Sequence, residues 1–303
     1  MTDNPTTWLI QQIQTHSTAQ SLWFSDENVL RQLPDAQGWP NKPVLITNRW
    51  DIAEEAKNSG FDAEFNDVDL SHIADNSLDH VFYRISKEKA VTHRLINQAQ
   101  RVLKLNGILW ISGQKNEGVK TYIEKACALF GCGKKIQKDG MSYSSQLRKS
   151  DTTGEYLNDE NYTELRKCFE INGKSVLGKP GQFGWNKIDQ GSEYLIAEIT
   201  PLLSSTSFEH CLDLGCGYGY LSIASALLAI KHRTLTDNNA AALATATANC
   251  TKLNIAANVV AGDAGEQLQN QFDLILCNQI HFLDKHKIYT HKKSRIFMQP
   301  FLL

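Results

Sequence analysis

Hydrophobic residues follow two alternating patterns along the first half of the chain. The apolar runs Val44–Ile46, Leu78–Tyr83 and Ile108–Ile111 are typical of buried strands. Between them, Ile52–Asn58 and Ala90–Leu103 carry apolar residues three and four positions apart, which predicts helices. Strands that alternate with helices predict an α/β protein with a mostly parallel sheet.

The first 40 residues are richer in helical spacing than in strand pattern. Trp8–Ile13 and the apolar residues of Leu22–Leu30 predict two amphipathic helices. The first strand is then Val44–Ile46, and Thr47-Asn48-Arg49 follows it where a nucleotide-binding fold would have a glycine loop. The first half therefore predicts a Rossmann-like domain that lacks a cofactor loop.

The alternation of strands and helices returns in the second half, in a chain whose 303 residues suggest about two domains. The predicted strands are Cys211–Leu214, Arg233–Asp237, Val259–Ala264 and Phe272–Asn278. The predicted helices are Glu193–Ile199, Tyr220–Ile230 and Asn239–Leu253. A polar stretch at 142–161 predicts a linker or mobile connector. We therefore expect one domain over residues 1–150 and a second over 151–303, with residues 151–180 as its connecting segment.

A glycine-rich turn lies between the first strand and the first helix of the second half. The run from Asp213 to Gly219 has the pattern D-x-G-x-G-x-G, with glycines at 215, 217 and 219. A dinucleotide fingerprint spaces its third glycine differently. The carboxylate of Asp213 would repel a pyrophosphate but suits a ligand that carries an ammonium or a sulfonium. The turn resembles motif I of class I methyltransferases, which bind S-adenosyl-L-methionine (SAM).

Polar residues end the next three predicted strands. Asp237 ends the second strand, where an acidic residue accepts hydrogen bonds from ribose hydroxyls, although it could instead cap the following helix. Asp263 ends the third strand, at the position where methyltransferases contact the adenine amino group. Asn278 ends the fourth strand.

Charge is unevenly distributed although the net charge is only −2. Residues 101–150 contain ten Lys and Arg against three Asp and Glu, which suits a phosphate-bearing partner or an ordinary solvated helix face. We expect Lys134, Lys135 and Lys138 to help bind RNA. The sequence has no leader pattern, no membrane-length apolar run and no C-x-x-C pair among its seven cysteines, which favours a cytoplasmic protein with reduced thiols.

Between Trp39 and Asn278 the chain resembles the two-domain guanine-N2 methyltransferases of small-subunit (16S) ribosomal RNA, of the RsmC type. The residues that carry the resemblance are Phe183–Ser192, Gly113–Gly118 and the glycine and Asp237 segments. In that family the first of two tandem methyltransferase folds has lost its cofactor site. The resemblance implies SAM as cofactor, 16S rRNA or the small ribosomal subunit as partner, and no metal. It leaves the oligomeric state open.

The resemblance also assigns roles to individual residues. Asn278 would orient the guanine amine as the catalytic residue, and Phe183 and Phe282 would contact the base. The cofactor-binding residues would be Asp213, Gly215, Gly217, Gly219, Asp237, Asn238, Asp263, Ala264, Asp189 and Ser192.

The chain departs from the family after Asn278. The family has Asn-Pro-Pro-Phe-His at this point, whereas this chain has Asn278-Gln279-Ile280-His281-Phe282 and an atypical tail over 279–303. We therefore expect a second domain that is incomplete after its fourth strand, an exposed edge at that strand, and weak methyl transfer. The alternatives are a catalytically impaired rRNA-binding or ribosome-binding paralogue, and an N-methyltransferase of another planar amine or amide such as adenine or protein glutamine.

Overall fold

The structure is a computed structural model that describes residues 3–133, 135–269 and 271–278, together with the backbone of residues 295–298. It divides into two compact units, Met1–Tyr162 (unit 1) and Thr163–Leu303 (unit 2). The sequence placed the division between residues 150 and 151. No helix in the described ranges is long and apolar enough to cross a membrane.

Unit 1 is a seven-stranded sheet with two helices on each face. Its strands are β1 (Ser21–Ser25), β2 (Val44–Thr47), β3 (Ala63–Phe65), β4 (Leu78–Arg84), β5 (Leu103–Gln114), β6 (Gln137–Asp139) and β7 (Ser142–Arg148). Its helices are α1 (Asn4–His16), α2 (Trp50–Asn58), α3 (Lys89–Val102) and α4 (Val119–Phe130). The strand order is β3-β2-β1-β4-β5-β7-β6, in which β7 pairs antiparallel with both β5 and β6 and all other pairs are parallel. One apolar cluster covers the face under α1 and α2, and another covers the face under α3 and α4.

Unit 2 is a five-stranded parallel sheet preceded by a hairpin. The hairpin consists of β8 (Arg166–Ile171) and β9 (Lys174–Gly178), and its turn contains Gly173, whose φ is 73°. The sheet strands are β10 (Ser207–Leu214), β11 (Ala229–Asp237), β12 (Ala257–Ala261), β13 (Leu274–Cys277) and β14 (Arg295–Met298), and the helices are α5 (Gln190–Leu203), α6 (Tyr220–Ala224) and α7 (Ala240–Lys252). The strand order is β12-β11-β10-β13-β14.

The two units share one topology. In both, the first strand of the sheet is central, the second and third lie on one side, and the fourth and fifth on the other. The prediction of two tandem Rossmann-like folds is therefore confirmed.

The prediction of a helix around Leu22–Leu30 is wrong in its first part. Leu22, Trp23 and Phe24 form β1, the central strand, with β2 and β4 paired on its two sides. All five residues of β1 are buried, and its apolar residues Leu22, Trp23 and Phe24 pack on both faces of the sheet. The segment that follows the first strand is therefore a 3-10 turn over Glu27–Val29, and Thr47-Asn48-Arg49 follows the second strand instead.

The prediction of a mobile connector over 142–161 is also wrong. Residues 142–148 form β7, which pairs with β5 along its whole length. The following segment is held against α3, because Asn97 exchanges two hydrogen bonds with the backbone of Leu157, at 2.8 and 2.9 Å. A ring nitrogen of His93 also lies 2.6 Å from the carbonyl oxygen of Asn158. Side chains of α3 therefore hold the backbone of this stretch in place.

Two further predictions in unit 2 are corrected. Helix α6 ends at Ala224, and Ile230 belongs to β11, because β11 pairs with β10 from Ala229 onward. Strand β13 is not the edge of the sheet, because β14 pairs with it in parallel. The predicted exposed edge at the fourth strand is therefore covered along the backbone of β13.

Candidate cofactor and acceptor site

The glycine turn occupies the carboxyl edge of the unit 2 sheet, between β10 and α6. Gly215, Gly217 and Gly219 all have positive φ angles, of 71°, 54° and 91°. A Cβ added at Gly217 would meet no atom within 4 Å, so this glycine serves the left-handed backbone and leaves open space beside the turn. The backbone N–H of Gly215 donates to the carbonyl oxygen of Thr236 on the neighbouring strand, at 2.9 Å.

Asp237 ties the glycine turn to the end of β11. One carboxylate oxygen accepts a hydrogen bond from the backbone N–H of Gly217, and the other accepts from the N–H of Asn239, both at 2.9 Å. The N-cap of α7 is Asn239, whose side chain accepts from the N–H of Ala242. The alternative role of Asp237 as the helix cap is thus filled by another residue.

Asp213 lies beneath the turn and is 1% exposed. Its Oδ2 accepts hydrogen bonds from the backbone N–H and the hydroxyl of Ser222 in α6, at 3.0 and 2.6 Å. Its Oδ1 is buried and has no hydrogen-bond partner in the described part of the chain. Burial raises the pKa of this carboxyl to about 6. An unsatisfied buried acceptor of this kind favours a cationic or hydrogen-bonding ligand.

A small cleft opens between the ends of β10, β11 and β12. It is about 20 Å³ in volume, and its lining includes Gly215, Asp237, Asn238, Asp263 and Ala264. Five predicted cofactor residues therefore lie around one cleft.

The side chain of Gln267 borders the same region. Its amide donates to the carbonyl oxygen of Ala261 at 2.6 Å and to the hydroxyl of Thr236 at 3.3 Å. The carboxamide lies over Gly262, where an added Cβ would collide with it.

Asn278, Asp189 and Ser192 form a second group, at the end of β13. The Nδ2 of Asn278 donates to Asp189 Oδ2 at 2.6 Å and to Ser192 Oγ at 2.7 Å. The same Asp189 oxygen accepts from the backbone N–H of Ser192 and so caps α5. Both amide hydrogens of Asn278 are thereby used, which leaves its Oδ1 as the acceptor toward a ligand.

The loop that carries Phe183 is fixed at both ends and exposed in the middle. The side-chain amide of Asn239 donates to the carbonyl oxygen of Gly181 at 3.0 Å, and the hydroxyl of Tyr218 donates to the carbonyl oxygen of Lys187 at 3.3 Å. Phe183 itself is 80% exposed. Asn239 and Tyr218, which anchor the loop, were not among the predicted site residues. The signal that could have identified Asn239 is its position directly before the Ala-rich helix.

The remaining predicted site residues lie elsewhere. Lys135 and Lys138 are exposed residues of unit 1, at and just before β6. Lys134 and Phe282 lie outside the described residues.

The equivalent edge of unit 1 is filled by charged side chains. Arg84, which is buried at the end of β4, donates to both oxygens of Asp3, at 3.0 and 3.1 Å. Its guanidinium also forms an ion pair of 2.7 Å with Glu117. Burial raises the pKa of nearby Asp26 to about 7. The absence of a glycine turn after β1 agrees with the prediction that this copy has no cofactor loop.

Comparison with solved structures defines the class of fold. The 16S rRNA N2 methyltransferase RsmC of T. thermophilus, solved in complex with AdoMet and guanosine, superimposes with a TM-score of 0.76. The match covers 93% of this chain and 76% of that chain at 20% sequence identity. Residues 173–293 match the family model described as the methyltransferase small domain. The fold is that of a class I methyltransferase.

Proteins similar in sequence include several with the name ribosomal RNA small subunit methyltransferase C. The chain is 29% identical to ribosomal RNA small subunit methyltransferase C of Actinobacillus succinogenes over 215 residues, which is 70% of this chain and 62% of that protein. It is 29% identical to the protein of the same name from Shewanella loihica, over 67% of this chain and 58% of that protein. The chain thus spans about three fifths of the length of these curated relatives, and the predicted resemblance to the RsmC type is confirmed.

Proposed function

We propose that unit 2 binds SAM and transfers its methyl group to the exocyclic amine (N2) of a guanine in 16S rRNA. The observation that carries this proposal is the arrangement of two groups on one sheet edge. The glycine turn with Asp237 lies at the ends of β10 and β11, and Asn278 with Asp189 lies at the end of the adjoining strand β13. The acceptor, a guanine of 16S rRNA, is proposed because the similar proteins are named as methyltransferases of small-subunit rRNA.

The residues present fit SAM. Gly217 leaves space beside the turn, and the unpaired Oδ1 of Asp213 is an acceptor for the ammonium group of the methionine moiety. The carboxylate of Asp237 is an acceptor of the kind to which ribose hydroxyls donate. Asp263 and Ala264 would flank the adenine, and Asn238 would contact the nucleoside from the other side of the cleft. The cleft must widen to admit an adenosine, and Gln267 is the side chain that has to move.

The acceptor would be held by Asn278 and Phe183. SAM, when bound, supplies an electrophilic methyl group on a sulfonium. The amine of guanine is a weak nucleophile, so its orientation decides the rate. Asp189 and Ser192 hold the amide of Asn278, so that Oδ1 accepts an N–H of the guanine amine and directs the nitrogen lone pair toward the methyl group. The exposed ring of Phe183 would stack on the base.

Partners and location follow from the same proposal. The acceptor is 16S rRNA or the small ribosomal subunit, so the protein would act in the cytoplasm. Weak transfer remains our prediction, because the residues after Asn278 differ from the family pattern.

The test begins with calorimetric titration of the full chain with SAM, where we expect one site per chain. The full chain is then incubated with methyl-labelled SAM and undermethylated 16S rRNA or small subunits, and the RNA is digested to nucleosides. Label in N2-methylguanosine supports the proposal. The matched control is Gly217→Val, which should bind no SAM because valine is strained at φ 54° and fills the open space.

The other outcomes identify the alternatives. Binding of SAM and rRNA without transfer would indicate the catalytically impaired paralogue. Label in adenine, or label that survives ribonuclease because it resides in protein, would overturn the guanine acceptor.

A further inference from the structure

Unit 1 contains a cleft of about 430 Å³ that the proposed methyl transfer does not use. It lies at the sheet margin where β6 covers only Ser142–Ser144 of β7, so the rest of β7 borders the opening. Its far wall is the end of α4, at Gly131. The volume is within the range of small-ligand sites in proteins.

The charge of the cleft favours a phosphate. The described residues that line it include Lys135, Arg148 and Lys149 and no acidic residue. The ammonium of Lys149 is already used, because it donates to the side chain of Asn76 and to two backbone carbonyls, at 2.6–2.8 Å. Arg148 and Lys135 are exposed, and they supply the positive charge at the mouth.

Hydrogen bonds and close packing hold the walls of the cleft. One guanidinium nitrogen of Arg148 donates to the carbonyl oxygen of Asn106 at 3.0 Å, which leaves the other N–H groups of the fork for an anion. The hydroxyl of Ser145 donates to the carbonyl oxygen of Lys135 at 2.6 Å and fixes that side. At Gly131 a side chain would collide with the carbonyl oxygen of Thr152, so α4 and the chain after β7 are in close contact. A preformed site loses little entropy when it binds.

The interior of the cleft suits a base. Ile108 and the half-buried Cys132 give it apolar surface, and burial raises the pKa of the Cys132 thiol so that it stays neutral. Gln146 offers a carboxamide, which can both donate to and accept from a base edge.

We propose that this cleft is an accessory nucleotide site, which binds one phosphate-bearing nucleotide with Arg148 and Lys135 on the phosphate and Gln146 on the base. The proposal rests on the proposed function for its choice of occupant, a nucleotide of the substrate RNA. A free nucleotide has the same chemistry, and the test separates the two sources.

The probe is a fluorescein-labelled single-stranded RNA of ten uridines, whose binding to the full chain is followed by anisotropy at several salt concentrations. We expect Arg148→Ala and Lys135→Ala each to weaken binding three- to tenfold. The double variant should lower the slope of log K against log salt by about 0.7 to 1.4, because one or two phosphate contacts are lost. Gln146→Ala should weaken binding without changing the slope, since it removes no charge.

Lys57→Ala is the matched control. This residue is an exposed lysine of α2, which packs beside β2 and β3 at the opposite margin of the same sheet. Its loss should change the affinity by less than twofold. The proposal would be overturned if the double variant bound the decamer with the affinity and the salt slope of the parent protein. It would also be overturned if Lys57→Ala lost as much affinity as the cleft variants. Thermal melts of all variants confirm that each is folded.

Guanosine 5′-monophosphate distinguishes the source of the nucleotide. If it binds the parent protein and displaces the decamer, the cleft also takes free nucleotides; if only the decamer binds, the cleft is specific for an RNA strand. SAM titration of the same variants separates this proposal from the first. Loss of RNA binding with unchanged SAM binding supports the cleft, whereas a parent protein that binds no SAM overturns the methyl-transfer proposal alone.

Discussion

The carboxylate of Asp237 and the backbone N–H of Gly217 are 2.9 Å apart, so the residue proposed for the ribose also holds the glycine turn in place. Asn239 uses the second carboxylate oxygen. An asparagine at 237 keeps one acceptor oxygen and loses the charge. We expect Asp237→Asn to weaken SAM binding about 10- to 100-fold, the range for losing a hydrogen bond to a charged group. Calorimetric titration measures it.

The control is Asp273→Asn. Asp273 accepts two backbone hydrogen bonds of 2.9 Å, from Glu209 and His210, at the opposite edge of the same sheet. Asp273→Asn should reduce the stability of unit 2 about as much as Asp237→Asn does, and it should leave the affinity for SAM within about threefold of the parent value. Equal loss of SAM binding in both variants would mean that Asp237 acts only through the stability of unit 2.

Asn278→Ala should reduce methyl transfer on the order of 100-fold while SAM affinity stays within about threefold. The reason is that Asn278 is placed by Asp189 and Ser192 and not by the glycine turn. Single-turnover transfer to rRNA and SAM titration measure the two effects separately. Asn186→Ala, an exposed asparagine of the Phe183 loop, is the control. Transfer at the parent rate in Asn278→Ala would rule out the orienting role.

Asp213 should make unit 2 less stable as the pH rises from about 4 to about 6. Burial raises the pKa of its carboxyl from 3.8 to about 6, so the folded chain binds this proton more tightly than the unfolded chain. Ionisation therefore costs stability, about 3 kcal/mol in all once the pH is above 6. Asp213→Asn should be more stable than the parent at pH 7.5 and nearly equal at pH 4, and should bind SAM more weakly.

The measurement is the difference between the two unfolding free energies at each pH. The raised pKa of Asp26 acts in the same direction in unit 1, but it is present in both proteins and cancels in the difference. A constant difference across pH 4 to 8 would contradict the prediction.

Asn97→Ala should release the segment that follows β7. It removes two hydrogen bonds to the backbone of Leu157, which together contribute about 1–3 kcal/mol. We expect faster hydrogen exchange and proteolysis over residues 149–162 and a lower melting temperature. Asn48→Ala, in the loop after β2, is the comparison variant. Unchanged protection of residues 149–162 in Asn97→Ala would show that the segment is held by other contacts.

The parts of the site that were predictable from the sequence are local in the chain. The glycine turn, Asp237 and Asp263 each lie at or within two residues of the end of a strand, and parallel strands bring their ends to one edge. The pairing of Asn278 with Asp189 joins residues 89 positions apart, and no spacing rule reports it. Likewise, the hydrogen bond from the Tyr218 hydroxyl to the carbonyl oxygen of Lys187 depends on the path of the Phe183 loop across the edge of the unit 2 sheet.

Two errors in the fold have physical causes. Leu22-Trp23-Phe24 is a short unbroken apolar run, which periodicity alone cannot assign to a helix or a strand. Its identity as β1 comes from pairing with strands that follow much later in the chain. The polar residues of β7 suggested a linker, but Ser142, Ser144 and Ser145 are buried in the sheet, and their small hydroxyls are tolerated there.

The buried contact of Arg84 with Asp3 and Glu117 bears on how unit 1 is made during translation. Asp3 is synthesised before either of the other two residues, because Arg84 follows it 81 residues later and Glu117 later still. Until β4 and β5 have emerged, the start of α1 has no charged partner and its apolar face has no sheet to cover it. In the nascent chain, α1 must therefore remain unpacked and accessible to chaperones until β4 and β5 have been synthesised.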